Sequence, residues 1–135
     1  MGGFCGVVSK QDCVCDLFFG TDYHSHLGTH RGGMAVLKSN GLFHRSIHNI
    51  QNTPFRSKFE HDLARFSGKV GIGVISDTDP QPLVMSSKLG TFAIVTVGYL
   101  TNMEELQEEL FRNNCVQLQY STTSGMIGPT EVISA

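Results

Sequence analysis

Tryptophan is absent from the sequence, proline is rare and charge is scarce. Charged residues make up 16% of the 135 positions, against about 25% in an average soluble domain. The ten lysine and arginine residues are spread along the chain, and the formal net charge is −2. Nucleic-acid binding needs a basic face that neutralises phosphates, so this composition argues against a nucleic-acid partner.

Targeting and membrane-spanning segments are also missing. The segment Met1–Cys5 has neither the cationic start nor the apolar core of a signal peptide, and no stretch approaches the ~18 apolar residues that cross a bilayer. We therefore expect a cytoplasmic protein without a membrane partner. In that compartment the cysteines should be reduced, and two disulfides are the less favoured alternative; the four cysteines are Cys5, Cys13, Cys15 and Cys115.

The sequence does contain enough apolar material for one packed domain over residues 1–135. Hydrophobic residues make up 40% of the chain and glycine occurs fifteen times, which excludes a disordered or collagen-like polymer. The shortage of charge suits a surface that is covered by a partner. We expect that partner to be the remainder of a synthase or another subunit, and we expect a homo-oligomer.

Local patterns in the first half predict strands, a hairpin and a helix. Residues 4–8 form a short apolar run that predicts a buried strand. Asn40-Gly41 separates two β-rich runs and predicts a hairpin with a type I′ turn. Thr53-Pro54 is typical of a helix start, and aromatic and leucine residues follow at helical spacing until Gly68; these are Phe55, Phe59, Leu63 and Phe66.

The second half predicts further strands and two helices. Strands are expected at residues 70–75, 91–97 and 116–120, with a loop over residues 76–82. A helix should begin near Asn102 and bury Leu106, Leu110 and Phe111. Another begins at Pro129, but the sequence stops at Ala135. A helix of under two turns is unstable without support, so we expect the single domain to be C-terminally incomplete, with an α+β layered fold.

Cys5 is the first candidate for chemistry. A cysteine at a true N-terminus has a built-in base, because the free α-amine titrates near ~8 and can take the proton of the thiol. This requires removal of Met1–Phe4, which would make Cys5 the first residue. The alternative is a small buried cysteine on a strand.

Several motifs in the same order resemble those of a known family. The first is Cys5-Gly6-Val7-Val8, which is followed by Leu27-Gly28-Thr29-His30-Arg31-Gly32. Later segments carry the likeness through most of the chain: 71–73, 82–83, 90–95, 98–102 and 129–132. Together they are similar to the class II glutamine amidotransferases, and closest to the glutaminase domain of amidophosphoribosyltransferase.

The resemblance implies the N-terminal-nucleophile hydrolase fold, a four-layer αββα sandwich of which this chain is the N-terminal portion. It also implies hydrolysis of the glutamine amide to glutamate and ammonia through a cysteine thioester, without a cofactor. Cys5 would be the nucleophile, Arg31 would lie near the site, and Gly98 would offer its backbone N–H to the oxyanion. The resemblance places four residues in the substrate site: His30, Gly32, Ser76 and Asp77.

Three departures from the family pattern concern the glutamine pocket. Ser76 stands where an arginine holds the substrate carboxylate, Val97 replaces an oxyanion-hole asparagine, and Pro129 replaces the acid for the substrate amine. A hydroxyl cannot replace a bidentate arginine, and valine has no donor. We therefore expect weakened or lost glutaminase activity, with a non-catalytic regulatory or interaction module on the same fold as the alternative.

A metal-binding protein is a further alternative. Asp22, His24, His26 and His30 lie within nine residues, but no single helix or strand presents all three histidines on one face. A zinc site would also need later ligands at defined spacing. The sequence therefore favours no metal site; the other candidate ligands are Cys13, Cys15 and Asp16 upstream, and His61 and Cys115 downstream.

Overall fold

The structure is a computed structural model that describes residues 2–26, 30–113, 117–119 and 126–135. The first part contains β1 (Gly3–Val8), α1 (Val14–Tyr23), β2 (Arg31–Leu37), β3 (Phe43–Asn49), α2 (Phe55–Phe59) and β4 (Val70–Ser76). The second part contains β5 (Leu83–Ser87), β6 (Gly90–Ile94), α3 (Met103–Asn113) and α4 (Pro129–Ser134). None of the described helices is both long and apolar enough to cross a membrane.

Four strands form one antiparallel sheet in the order β1-β4-β2-β3, and β5 and β6 form a separate antiparallel pair. In the register of the larger sheet, Gly73 of β4 lies between Cys5 of β1 and Met34 of β2. Ser76, at the end of β4, lies opposite Arg31 at the start of β2. The expectation of helices combined with antiparallel sheets is confirmed.

Helix α1 covers one face of the larger sheet, and glycines on β4 permit its close approach. A Cβ atom on Gly73 would overlap the side chain of Thr21, and one on Gly71 would lie 2.7 Å from Leu17 Cδ2. The core continues through α2, where the rings of Phe55 and Phe59 stack with centroids 4.3 Å apart. Both rings are fully buried, and each contributes about 1.5–3 kcal/mol through lost contact with water.

The opposite face of this sheet is crossed by the segment that leads into β5. Gly33 of β2 lies directly under this segment, because a Cβ atom there would overlap the carbonyl group of Gln81. Arg45 of β3 donates a hydrogen bond from Nη1 to the carbonyl oxygen of Pro82 over 3.2 Å. The peptide bond between Gln81 and Pro82 is cis.

Two predictions about the first strands need correction. The strand predicted at residues 4–8 exists, but Phe4 and Val8 are 60% and 83% exposed, because β1 is an edge strand and none of the described segments covers these two side chains. The hairpin around Asn40-Gly41 also exists, but not with a type I′ turn. Only Gly41 has a positive φ, 82°, and Asn40 instead accepts a hydrogen bond from the backbone of Leu42 on its side-chain oxygen.

The helix predicted through Gly68 ends much earlier. α2 stops at Phe59, and residues 60–65 form turns. The predicted row of aromatic residues still packs into the core, since Phe66, beyond the end of α2, is buried. Asp62 explains the early end, because its carboxylate turns toward β3 and accepts hydrogen bonds from Ser46 (2.7 Å) and His48 (2.5 Å).

The second half also differs in detail from the sequence predictions. β5 lies where no strand was predicted, and β6 ends at Ile94 rather than at residue 97. α3 forms as predicted, but it buries no residue fully and Phe111 is 54% exposed. Residues 117–119 form no strand, and the rest of the strand predicted at 116–120 lies outside the described residues. The short helix predicted from Pro129 is confirmed as α4.

Replacing Asp62 with asparagine should lower the free energy of unfolding and make that free energy depend less on pH in the acid range. Burial acts to raise the pKa of Asp62, but hydrogen bonds from His48 and Ser46, and the charges of His48 and Arg65, outweigh it and lower that pKa. A lowered pKa means that the carboxylate stabilises the fold above its unfolded-state pKa, near 3.8, and that this contribution is lost as pH falls through the lower folded value.

We expect Asp62→Asn to cost about 1–3 kcal/mol at pH 7. As the pH falls below 3.8 the difference in stability between the variant and the unaltered chain should shrink, because the contribution of the carboxylate is being lost. Urea unfolding at pH 7, 5 and 3 measures both quantities. Glu60→Gln serves as the control, because Glu60 is an exposed neighbour in the same turn region. An equal loss of stability at every pH would contradict the assignment.

Candidate active-site cavity

A cavity of about 390 Å³ lies where β4 ends. It brings together three residues that sequence analysis assigned to the active site, namely Ser76, Asp77 and Gly98. Ser76 comes from the end of β4, whereas Gly98 follows β6, so the cavity joins the two sheets. Its full lining is Gly2, Ile75, Ser76, Asp77, Thr78, Thr96, Val97, Gly98 and Tyr99.

A second cavity, of about 810 Å³, adjoins the first and shares Asp77, Thr78 and Tyr99 with it. It extends to the start of α3 and to the residues before α4. Among the residues that the structure describes, no lysine, arginine or histidine lines either cavity. The charged residues in the two linings are all acidic: Asp77, Asp79, Glu104 and Glu105.

A buried carboxylate holds the wall between these cavities and α4. Asp79 is only 7% exposed. Its Oδ1 accepts hydrogen bonds from Thr78 Oγ1 (2.8 Å) and Gln81 Nε2 (2.9 Å), and its Oδ2 accepts one from the backbone N–H of Thr130 (3.2 Å). Gly128 leaves room for this approach, because a Cβ atom there would lie 2.6 Å from Asp79 Oδ2. Asp79 therefore fixes the first turn of α4 against the cavity.

Gln81 extends the same network to the other elements. Its Nε2 also lies 3.4 Å from Ser76 Oγ, and its Oε1 accepts a hydrogen bond from the backbone N–H of Thr96 over 2.6 Å. The hydroxyl oxygens of Thr96 and Thr130 are 2.6 Å apart. The network thus joins the ends of β4 and β6 to α4. Asp79 and Gln81 were not among the predicted site residues, because the polar composition of this loop gives no sign that two of its side chains are buried.

Cys5 does not line either cavity. Its side chain is half-buried and faces α1, because a Cβ atom on Gly20 would overlap Cys5 Sγ. The residue that precedes β1, Gly2, reaches the smaller cavity and contacts Ile75 and Ser76. Cys5 lies two residues beyond Gly3 along the strand, or about 7 Å.

A histidine that sequence analysis considered only as a metal ligand lies beside this strand. His24 follows α1, and a Cβ atom on Gly3 would lie 2.5 Å from His24 Nδ1. This nitrogen is buried and has no hydrogen-bond partner in the described part of the chain. The ring also contacts Tyr23 edge-on, with centroids 5.5 Å apart.

The structure separates the other predicted site residues from the cavity lining. Arg31 is half-buried beside Ser76 in the register of the sheet. Gly32 is buried against Phe55, whose Cδ2 would lie 2.7 Å from a Cβ atom at this position. His30 is exposed, and its ring contacts Gln51. The missing side chain of Gly32 therefore serves packing against α2. In the sheet, Arg31 and Gly32 lie next to the cavity residues Ser76 and Ile75.

The candidate metal ligands have other contacts. Asp22 accepts a hydrogen bond from Arg56 Nε over 2.7 Å, and the rings of His24 and His26 both contact Tyr23. Cys13 is fully buried, and this burial, followed by the charge of Asp12, raises the pKa of its thiol. Over the residues whose positions are described, no three histidine, cysteine or acidic side chains come together as a metal site would require; Cys115 lies outside them.

Comparison with known proteins gives a clear answer only for structure. No family model matches the chain, and no curated protein matches it in sequence. A solved glutamine phosphoribosylpyrophosphate amidotransferase from B. subtilis, complexed with ADP and GMP, matches with a TM-score of 0.76 and 20% identity. A structure described as the allosteric regulatory enzyme of purine biosynthesis matches with a TM-score of 0.75 and 19% identity.

Each match covers 99% of this chain and 28% of the solved chain. The chain thus spans little more than a quarter of the length of these enzymes. At this level of identity the likeness concerns the fold, and it runs through nearly every residue of the chain. The resemblance inferred from the sequence motifs is therefore confirmed in three dimensions, and the chain has the fold of one part of an amidophosphoribosyltransferase chain.

Proposed function

We propose that the chain is a glutamine amidotransferase-like domain of the N-terminal-nucleophile type. Cys5 is the nucleophile, and it becomes active when Met1–Phe4 are removed. The domain then hydrolyses glutamine weakly. The observation that carries the proposal is the smaller cavity. It gathers Ser76, Asp77 and Gly98 around the N-terminal end of β1, the strand that holds Cys5.

The arrangement of layers supports a partial αββα sandwich. α1 and α2 pack on one face of the larger sheet, and the segment leading into β5 crosses the other face. α4 contacts both β5 and α3. Helices thus contact both antiparallel sheets, which supports the proposed arrangement.

The proposed reaction is hydrolysis of the side-chain amide of glutamine. In a chain that begins at Cys5, the α-amine takes the proton of the thiol, and the sulfur bonds to the amide carbon. The C–N bond then breaks, the nitrogen leaves as ammonia after gaining a proton, and a thioester remains. Water cleaves the thioester to glutamate and restores the thiol. The backbone N–H of Gly98 would stabilise the oxyanion.

The linings explain why this activity should be weak. Glutamine carries an α-carboxylate, and the described linings offer acidic side chains but no cation to bind it. Two like charges 5 Å apart repel by about 3 kcal/mol at an effective dielectric constant near 20. Val97 adds no hydrogen-bond donor for the oxyanion.

The second candidate is a non-catalytic module that contacts the remainder of a synthase, another subunit or a second copy of itself. One observation favours it for the chain with Met1–Phe4 attached. Gly3 and Phe4 pair with Ile75 and Val74 of β4, and Gly2 forms part of the cavity wall. The Cys5 nitrogen is then part of a peptide bond and cannot act as a base.

Labelling with a glutamine-analogue electrophile separates the two candidates. A chain beginning at Cys5 should be labelled at Cys5 and should hydrolyse glutamine slowly, whereas the chain that keeps Met1–Phe4 should do neither. Cys15 is the internal control because it is exposed, and Cys5→Ser is the matched variant. Intact mass and peptide mapping provide the readouts. Equal labelling of Cys5 and Cys15, or no labelling of Cys5 in the shortened chain, would favour the non-catalytic module.

A further inference from the structure

The unpartnered nitrogen of His24 calls for an explanation. A buried polar atom without a partner loses its hydrogen bonds to water and gains none in return. His24 Nδ1 is in this position among the described residues, and Gly3 packs against it. Gly3 belongs to the four residues whose removal the proposed function requires.

Cys5 and His24 are brought to the same side of β1 by the way α1 crosses the strand. Gly20 of α1 lies against Cys5, and His24, four residues later, lies against Gly3. Helix and strand therefore run in opposite directions along this contact. Four helical residues advance about 6 Å and two strand residues about 7 Å, so the two pairs of contacts match in spacing.

The same geometry determines what removal of residues 1–4 would uncover. The nitrogen of Cys5 lies on the Gly3 side of its Cα atom, so the new α-amine would point along the path that Gly3 now occupies. That path ends at the imidazole of His24. Gly3 and Cys5 are about 7 Å apart along the strand, so a bridging water, or a shift of the new terminus toward the ring, would join the amine to Nδ1.

We infer that His24 is a positioning residue for the terminal amine of Cys5, and that its Nδ1 accepts a hydrogen bond from this amine, directly or through one water, when the chain begins at Cys5. The inference rests on the proposed function, because it requires the shortened chain. In this inference His24 positions the amine that activates the Cys5 thiol and is not a metal ligand.

The chemistry follows from the charge that forms on the amine. When the thiol loses its proton, the amine gains it and becomes an ammonium group. With its own proton on Nε2, His24 offers the lone pair of Nδ1 to that ammonium group. Hydrogen bonds to charged groups are stronger than those between neutral groups, so the ion pair of thiolate and ammonium becomes more populated. The imidazole need not change its protonation state.

The test compares two substitutions of His24 in chains that begin at Cys5. His24→Phe keeps a ring beside Tyr23 but removes the acceptor. His24→Asn can place its side-chain oxygen near the position of Nδ1 and so keeps an acceptor. The reaction is alkylation of Cys5 by iodoacetamide at pH 7, in which a carbon–sulfur bond forms and iodide leaves. Peptide mapping follows the adduct on Cys5 alone.

We expect His24→Phe to slow the alkylation about tenfold and His24→Asn to restore it to within about threefold. His26→Phe is the matched control, because His26 is exposed and contacts the same Tyr23 ring; it should leave the rate unchanged. In chains that keep Met1–Phe4, all variants should react at one rate.

Equal rates for His24→Phe and the unaltered shortened chain would overturn the inference, and so would equal slowing by both substitutions of His24, which would indicate a structural role. Circular dichroism on each chain establishes that it is folded. The outcome is independent of glutamine. A shortened chain whose alkylation depends on His24 but which does not hydrolyse glutamine would support this inference and contradict the proposed function.

Discussion

Val97→Asn, introduced into a chain that begins at Cys5, is expected to raise the rate of glutamine hydrolysis by about 10²–10³-fold. Removal of one oxyanion-hole donor from an enzyme typically costs that factor in kcat, and this substitution adds a side-chain donor beside the backbone N–H of Gly98, where the side chain of Val97 offers none. Val97 lines the smaller cavity beside Gly98 and is 39% exposed, so the amide can be accommodated without rebuilding the core.

The gain should appear in kcat rather than in KM, because the new hydrogen bond forms to the charge that develops in the transition state. Release of ammonia at several glutamine concentrations measures both constants. Val97→Thr is the control, since it preserves the branched shape but lacks the amide. A chain whose Cys5 is labelled by the glutamine analogue, but whose Val97→Asn variant is no faster than Val97→Thr, would argue against an oxyanion site at Gly98.

Gly33→Ala should be the most destabilising single methyl addition in the sheet. The new Cβ atom would overlap the carbonyl group of Gln81 and lie 2.8 Å from Pro82 Cδ. Overpacking of this kind costs about 1–3 kcal/mol where side chains can move, and here one of the obstacles is backbone. We therefore expect a loss of more than 3 kcal/mol in the free energy of unfolding.

The comparison variant is Gly6→Ala, on the exposed face of β1, where the nearest atom to the new methyl group would be Ile72 Cγ2 at 3.8 Å. Its stability should lie within about 0.5 kcal/mol of the unaltered chain. Thermal and urea unfolding of both variants give the two values. Similar stabilities would mean that the segment over Gly33 moves aside easily, and that the hydrogen bonds of Gln81 do not hold it in place.

The elements that could be predicted are those whose structure depends on residues adjacent in the sequence. Asn40-Gly41 marks a turn because glycine adopts a positive φ without strain, and the hairpin formed around it. Pro129 predicted the start of α4 for a similar reason, since proline fits the first helical position. The exact turn type was wrong, because the side chain of Asn40 bonds to the backbone of Leu42 instead.

The elements that were missed depend on distant contacts. α2 stops short because Asp62 bonds to Ser46 and His48, on a strand fourteen to sixteen residues earlier. No local periodicity contains that information. β6 ends early for a related reason, since the backbone of Thr96 bonds to the side chain of Gln81.

In the candidate site, too, local sequence motifs were informative and contacts between distant residues were not foreseen. The motif resemblance placed Ser76, Asp77 and Gly98 together, and the smaller cavity gathers them. It did not indicate that Cys5 faces α1, because side-chain direction follows from the alternation of the strand and from the space that Gly20 leaves. It also assigned Gly32 to the substrate site, which stays a prediction, and it did not indicate that the ring of Phe55 packs against this glycine.

The open edge of β1 has a practical consequence for work with this protein. The strand presents backbone groups that no other described strand pairs with, together with the exposed rings and methyl groups of Phe4 and Val8. Such an edge can add a strand from a neighbouring molecule and so template aggregation. Concentrated samples should therefore be checked by light scattering before any kinetic comparison, and a lysine at position 8 would be the simplest means of keeping molecules apart.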